Sequence, residues 1–193
     1  MFSRSRTALV AASATLLMGG LSGCALLQPP TEEVVLSDVA RCTMGHTWTL
    51  DTADLATQLL AVLQRDHAVT AVDAAGTKTI DWGMDNVVSL TSDLAITVTT
   101  GTAEAPTTIT QTQAGSAEGK VYINADVAIP RRWADDVEVE TKAESGGAEL
   151  EQVPFGLPNI AFDDTVGLEL TCDGTTLTVH PRGSTITQKW TTG

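Results

Sequence analysis

Apolar positions recur along this chain with two different periods. Leu55, Leu59, Val62 and Leu63 fall at i, i+4, i+7 and i+8, one stripe of a helix. Asp51 is a favourable N-cap, Asp54 stands where a carboxylate can answer the cap, and Leu50 and Leu55 occupy the staple positions. The spacing predicts a helix over 52–65 that packs on a core through its leucines. Beyond it the period becomes two. Leu94, Ile96 and Val98 alternate with Ala95, Thr97 and Thr99, and Val121, Ile123, Ala125, Val127 and Ile129 alternate likewise. Val137 and Val139 flank Glu138 in the same way. Abundant threonine suits strands. Gly76, Gly101, Gly119, Gly146-Gly147 and Gly183 read as turns between runs. Runs spaced by roughly 10–15 residues suggest an antiparallel barrel, half-barrel or sandwich. The predicted fold is α+β and mostly β: one N-terminal helix packed on an antiparallel sheet.

The last part of the chain reads as a hairpin. Asp173-Gly174 is a type I′ turn signal. Centred there, the turn sets Cys172 against Thr175, Leu170 against Leu177 and Leu168 against Val179, with the apolar residues on one face. A final strand over 185–190 is expected after a turn at 181–184.

The N-terminus has a pattern of its own. Arg4 and Arg6 precede Thr7 to Gly20, an apolar and small-residue run of 14. That suits a signal segment and falls short of the roughly 20 residues of a spanning helix. Leu21-Ser22-Gly23-Cys24 follows and resembles the lipobox of bacterial lipoproteins at every position. The resemblance implies cleavage before Cys24, diacylglycerol on its thiol and often acylation of the new amino group. It divides the chain into a signal peptide at 1–23, a lipidated tether at 24–36 and one β-rich domain at 37–193. Two or three acyl chains anchor stably where one binds marginally. The expected location is the extracytoplasmic face of the cell membrane.

Charge and cysteine usage narrow the picture. The formal net charge is −13. Removing 23 of 193 residues leaves 170; 11 basic groups less Arg4 and Arg6 leave 9 against 24 acidic groups, a net charge of −15. An acidic chain argues against nucleic acid, which wants a basic patch, and against lying flat on anionic lipid. Of the three cysteines, lipidation of Cys24 would leave Cys42 and Cys172 as one pair in an oxidising compartment, so a disulfide between them is expected.

Catalytic signals are few. Ser116 in Gly115-Ser116-Ala117-Glu118-Gly119 lacks nucleophile-elbow spacing and reads as a loop. Phosphate-loop, dinucleotide and zinc-protease patterns do not occur. His46, His67 and His180 are dispersed and read as structural. Asp135-Asp136 and Asp163-Asp164 read as solvated acidic loops. Arg131-Arg132 is expected to pair with Asp135 or Asp136. The apolar stretch 153–162 reads as a cover for the core, with a gate over a cavity as the alternative.

Gly45-His46-Thr47-Trp48, Leu50-Asp51, the late Cys172-Asp173-Gly174-Thr175-Thr176-Leu177 and terminal Trp190 resemble small actinobacterial lipoproteins, some with lipocalin-like barrels. The Gly-x-Trp of those barrels is replaced here by Gly45 and Trp48 with two residues between. A half-barrel of lipid-carrying lipoproteins is the other resemblance. The anchor and the missing catalytic motifs point to a membrane-anchored binding or interaction module, not an enzyme, with no cofactor and no catalytic or metal residues. Its expected partners are the membrane, through the lipid on Cys24, and an apolar ligand or an envelope protein. A dry cavity lined by Trp82, Trp133 or Tyr122 would favour the binding reading. A structural envelope component and a hydrolase with a dispersed site are the alternatives.

Overall fold

A computed structural model describes residues 36–158, 160, 162 and 165–192. The signal peptide, Cys24, tether residues 24–35 and the Asp163-Asp164 pair lie outside the described residues. Within them the elements are α1 (Asp38–Thr43), β1 (His46–Leu50), α2 (Thr52–Leu63), β2 (Val69–Trp82), β3 (Val87–Gly101), β4 (Pro106–Asn124), β5 (Val127–Asp135), β6 (Glu138–Ser145), β7 (Ala148–Glu149), β8 (Leu168–Cys172), β9 (Thr176–Pro181) and β10 (Gln188–Thr192).

All strands join one antiparallel sheet in the order β3-β2-β1-β10-β9-β8-β5-β4-β6-β7, and β3 also pairs with β4. Eight strands therefore form a closed ring of hydrogen-bonded neighbours, with β6 and β7 continuing along β4. The ring's shortest seam is β5–β8, where Val127 faces Glu169 and Ala128 faces Leu168. Period two is the cause of the enclosed core. Even positions of β2 and β3 (Ile80, Trp82, Val88, Leu90, Leu94, Ile96, Val98) and odd positions of β4 (Ile109, Ala117, Val121) are buried. Trp48 and Trp190 join them with no exposed surface.

The helix expected over 52–65 is α2, and it ends at Leu63 with Gln64 as C-cap. Leu55, Leu59 and Leu63 are its buried stripe, against β2 and β10. Asp51 accepts from the Asp54 amide at 3.0 Å, as the cap requires. The Asp54 carboxylate does not answer the cap; it accepts from Gln58 at 2.6 Å. A second helix, α1, precedes it, so the one-helix expectation is too simple. Ser37 caps α1, and a six-residue helix carries too little periodicity to be read from sequence.

Three strand expectations are corrected. Positions 121–129 are not one strand: Asn124 pairs with Val127 around a turn at Ala125-Asp126, where Ala125 has φ 55°. The flanking asparagine and aspartate are turn formers, and they outweigh the alternation. Gly76 and Gly119 lie inside β2 and β4 rather than at turns. A Cβ on Gly119 would meet the Trp133 ring at 2.6 Å, so that glycine makes room for an indole. The C-terminal hairpin pairs Cys172 with Leu177, Leu170 with Val179 and Leu168 with Pro181, two residues from the expected register. Asp173 leaves the turn centre because its carboxylate accepts from the Thr175 and Thr176 amides at 3.1 and 2.8 Å. Gly174-Thr175 becomes the loop, and the apolar residues keep a common face because the shift is even.

Candidate functional site

Among the described residues, the ring's inward phase carries one cation. Lys78 stands in β2 in phase with Ile80 and Trp82 and is 2 % exposed. Its register partner in β3 is Ser92, whose partner in β4 is Gly115. Gly115 lies in the inward phase between Gln113 and Ala117, so no side chain fills that point of the wall. It is also where the neighbour of β4 changes: Ala114 pairs with Glu138 of β6, and Ala117 with Asp135 of β5. Gly115 has φ 133°, and a Cβ there would meet the Asp136 carbonyl at 2.4 Å, so only glycine fits the kink.

A cavity of about 30 Å³ opens at this point, room for about one water or a small head group. Lys78, Gln113 and Asp135 supply its polar lining, and Leu90, Ala117, Trp133, Val137, Val139 and Phe162 its apolar wall. Val139 is 55 % exposed at the mouth. Phe162 lies 6.3 Å from Trp133 of β5 and 6.1 Å from Trp190 of β10 by ring centroids, which ties it to two strands of the ring. Phe155 stacks on His67 at 4.0 Å.

Lys78 Nζ donates to Gln113 Oε1 at 3.3 Å and to the Ile160 carbonyl at 3.4 Å, both long. Gln188 Nε2 donates to the same carbonyl at 2.9 Å. Burial lowers the Lys78 amine from 10.5 to about 8, and the Asp135 charge works in the opposite direction. Among the described residues, Ser92 Oγ, Gln188 Oε1, Trp82 Nε1 and Trp190 Nε1 are buried and find no hydrogen-bond partner. A cavity with one amine, one side-chain amide and an apolar wall can receive a group that carries an acceptor.

The residues singled out from sequence fall in several places. Cys42 and Cys172 come together at disulfide distance, Cα–Cα 6.0 Å. Trp133 lines the cavity, Trp82 is buried in the ring, and Tyr122 is 50 % exposed outside the lining. Ser116 is in β4 opposite Thr91, not in a loop. His46 meets Trp48 edge-on and His180 Nδ1 contacts Thr187 Oγ1 at 3.1 Å. Arg131 donates to the Pro130 carbonyl, and among the described residues no ion pair joins Arg131 or Arg132 to Asp135 or Asp136. Asp135 instead lies at the cavity and accepts from the Val137 amide at 3.0 Å. Among the described residues no cluster of three metal-ligating side chains occurs.

Sequence reasoning missed Lys78. Its signal was present: a lysine in phase with Ile80 and Trp82. A lone lysine in a strand ordinarily reads as solvent-facing, and Gly115, which leaves it space, is 37 residues further along the chain. No known protein family, curated protein or solved structure matches this chain.

Proposed function

We propose that this chain is a lipid-anchored extracytoplasmic binding protein whose closed ring acts as a small barrel holding an apolar ligand. The lipobox Leu21-Ser22-Gly23-Cys24 supports the address, with the membrane as partner through lipid on Cys24. One observation carries the binding reading: an enclosed amine, Lys78, beside an aromatic and aliphatic wall that opens to solvent. Pockets of this composition, mostly apolar with few convergent polar groups, are the usual form of small-ligand sites. A structural envelope role without small ligand is the second reading; it is favoured by how fully Trp48, Trp82, Trp190 and Phe162 fill the interior.

Native mass spectrometry of protein purified from its own envelope, followed by lipid extraction, tests both halves. Acyl mass on Cys24 and a separate, extractable apolar species are expected. Secreted protein without acyl mass would refute the anchor. Ligand-free protein from several gentle preparations would favour the structural reading.

A further inference from the structure

We propose that Lys78 is the head-group site for a small monocarboxylate with an apolar body, the carboxylate on the amine and the body along Trp133, Val137 and Val139. This rests on the ligand-holding reading above and narrows its ligand. The acceptors already on Lys78 are neutral and distant, at 3.3 and 3.4 Å, and among the described residues one proton of the ammonium has none. Among the described residues no carboxylate comes within ion-pair distance of it. A buried cation in that condition is under-compensated, and a charged acceptor forms a shorter and stronger bond than an amide or carbonyl.

The cavity at the amine, about 30 Å³, admits a compact planar head. Ser92 Oγ, on the register partner of Lys78, is a buried hydroxyl with no partner, and Gln188 meets Lys78 at the Ile160 carbonyl. Asp135 of β5 lines the same cavity and is the titratable side chain facing Lys78 there; Ser92 of β3, Gln113 of β4 and Gln188 of β10 do not titrate. Its charge opposes a second negative charge on the ligand, which selects a monoanion over a dianion. The apolar wall then accepts the rest of the molecule.

Calorimetric titration of the full-length chain with octanoate, with octanol and with the neutral dye N-phenylnaphthylamine tests the assignment. At pH 7 octanoate should bind about tenfold or more tightly than octanol. That preference should shrink as pH rises through 8 and the ammonium is lost. Lys78→Met and Lys78→Gln, each checked for folding by circular dichroism, should abolish it and leave octanol and dye binding in place. A preference that survives both Lys78 variants or does not change with pH overturns the site. Dye binding without any octanoate preference in the wild type overturns it too, yet leaves the ring a holder of neutral ligands. Failure of all three probes to bind overturns the site and the ligand-holding reading together.

Discussion

At the scale of the residue, Lys78 is costly to bury, and its titration makes that cost measurable. An unfolded chain holds the amine near its ordinary 10.5, while the folded protein holds it at about 8. Between those values the unfolded state binds more protons, so this group adds stability as pH rises through the window and removes it below. The gap between 10.5 and about 8 corresponds to roughly 3–4 kcal/mol. Lys78→Met is therefore expected to be more stable than wild type at pH 7, with the advantage shrinking toward pH 10. Urea denaturation of both proteins across that range checks it; a difference constant with pH would contradict the buried-amine account. A side chain kept at such a cost suits recognition better than stability, which apolar replacement of buried charge often improves.

At the scale of the element, α2 is held to the sheet by more than its leucines. Gln58 is its polar link: Nε2 donates to the Thr187 carbonyl at 2.5 Å, and Oε1 accepts from the Thr187 amide at 2.9 Å. One side-chain amide thus pairs with the backbone as a strand neighbour would, just ahead of β10. Thr187 also meets His180 of β9, so the link fixes the β9–β10 connection. Gln58→Leu keeps the helix propensity but strands two backbone groups in a half-buried place. A loss of about 1–3 kcal/mol is expected, with α2 helicity retained. Thermal melts with far-ultraviolet dichroism test this. An unchanged melting temperature would mean that leucine packing alone docks the helix.

At the scale of the whole molecule, Cys42 and Cys172 join regions 130 positions apart in sequence. Cys42 is in α1 and Cys172 ends β8, so a bond between them closes the first helix onto the penultimate hairpin. Closing so long a loop restricts the unfolded chain, a contribution of up to about 4–5 kcal/mol in the chain-entropy account. Cys42→Ser and Cys172→Ser should each cost about 2–5 kcal/mol, and the double variant little more than either. Denaturation of all three, with non-reducing peptide mapping of the wild type, checks the pairing. Two free thiols in oxidised protein would remove the basis of the expectation. Ser37, the cap of α1, reaches the β4–β5 turn as well, where its Oγ donates to the Ala125 carbonyl at 2.8 Å.

Local chemistry made much of this legible without coordinates. The leucine stripe and Asp51 placed α2 within two residues of its end, because helix periodicity and capping act within a turn of the chain. Alternation announced β3, the Asp173-Gly174 signal announced the β8–β9 hairpin, and the cysteine pairing followed from the expectation that lipid takes Cys24 and leaves one pair. What stayed out of reach depends on atoms distant in sequence. Nothing local says that β3 pairs with both β2 and β4 and so closes a ring. Asp173-Gly174 reads locally as a turn centre, but the Asp173 carboxylate bonds two amides ahead of it and moves the centre by one. Lys78 became a site residue only when Ser92 and Gly115 came level with it across two neighbouring strands. Sequence alone determined which residues alternate and where helices start, since those follow from backbone geometry. Tertiary structure decided which side of each strand was sealed from water, and that burial is what turned an ordinary lysine into a poorly solvated cation at a cavity.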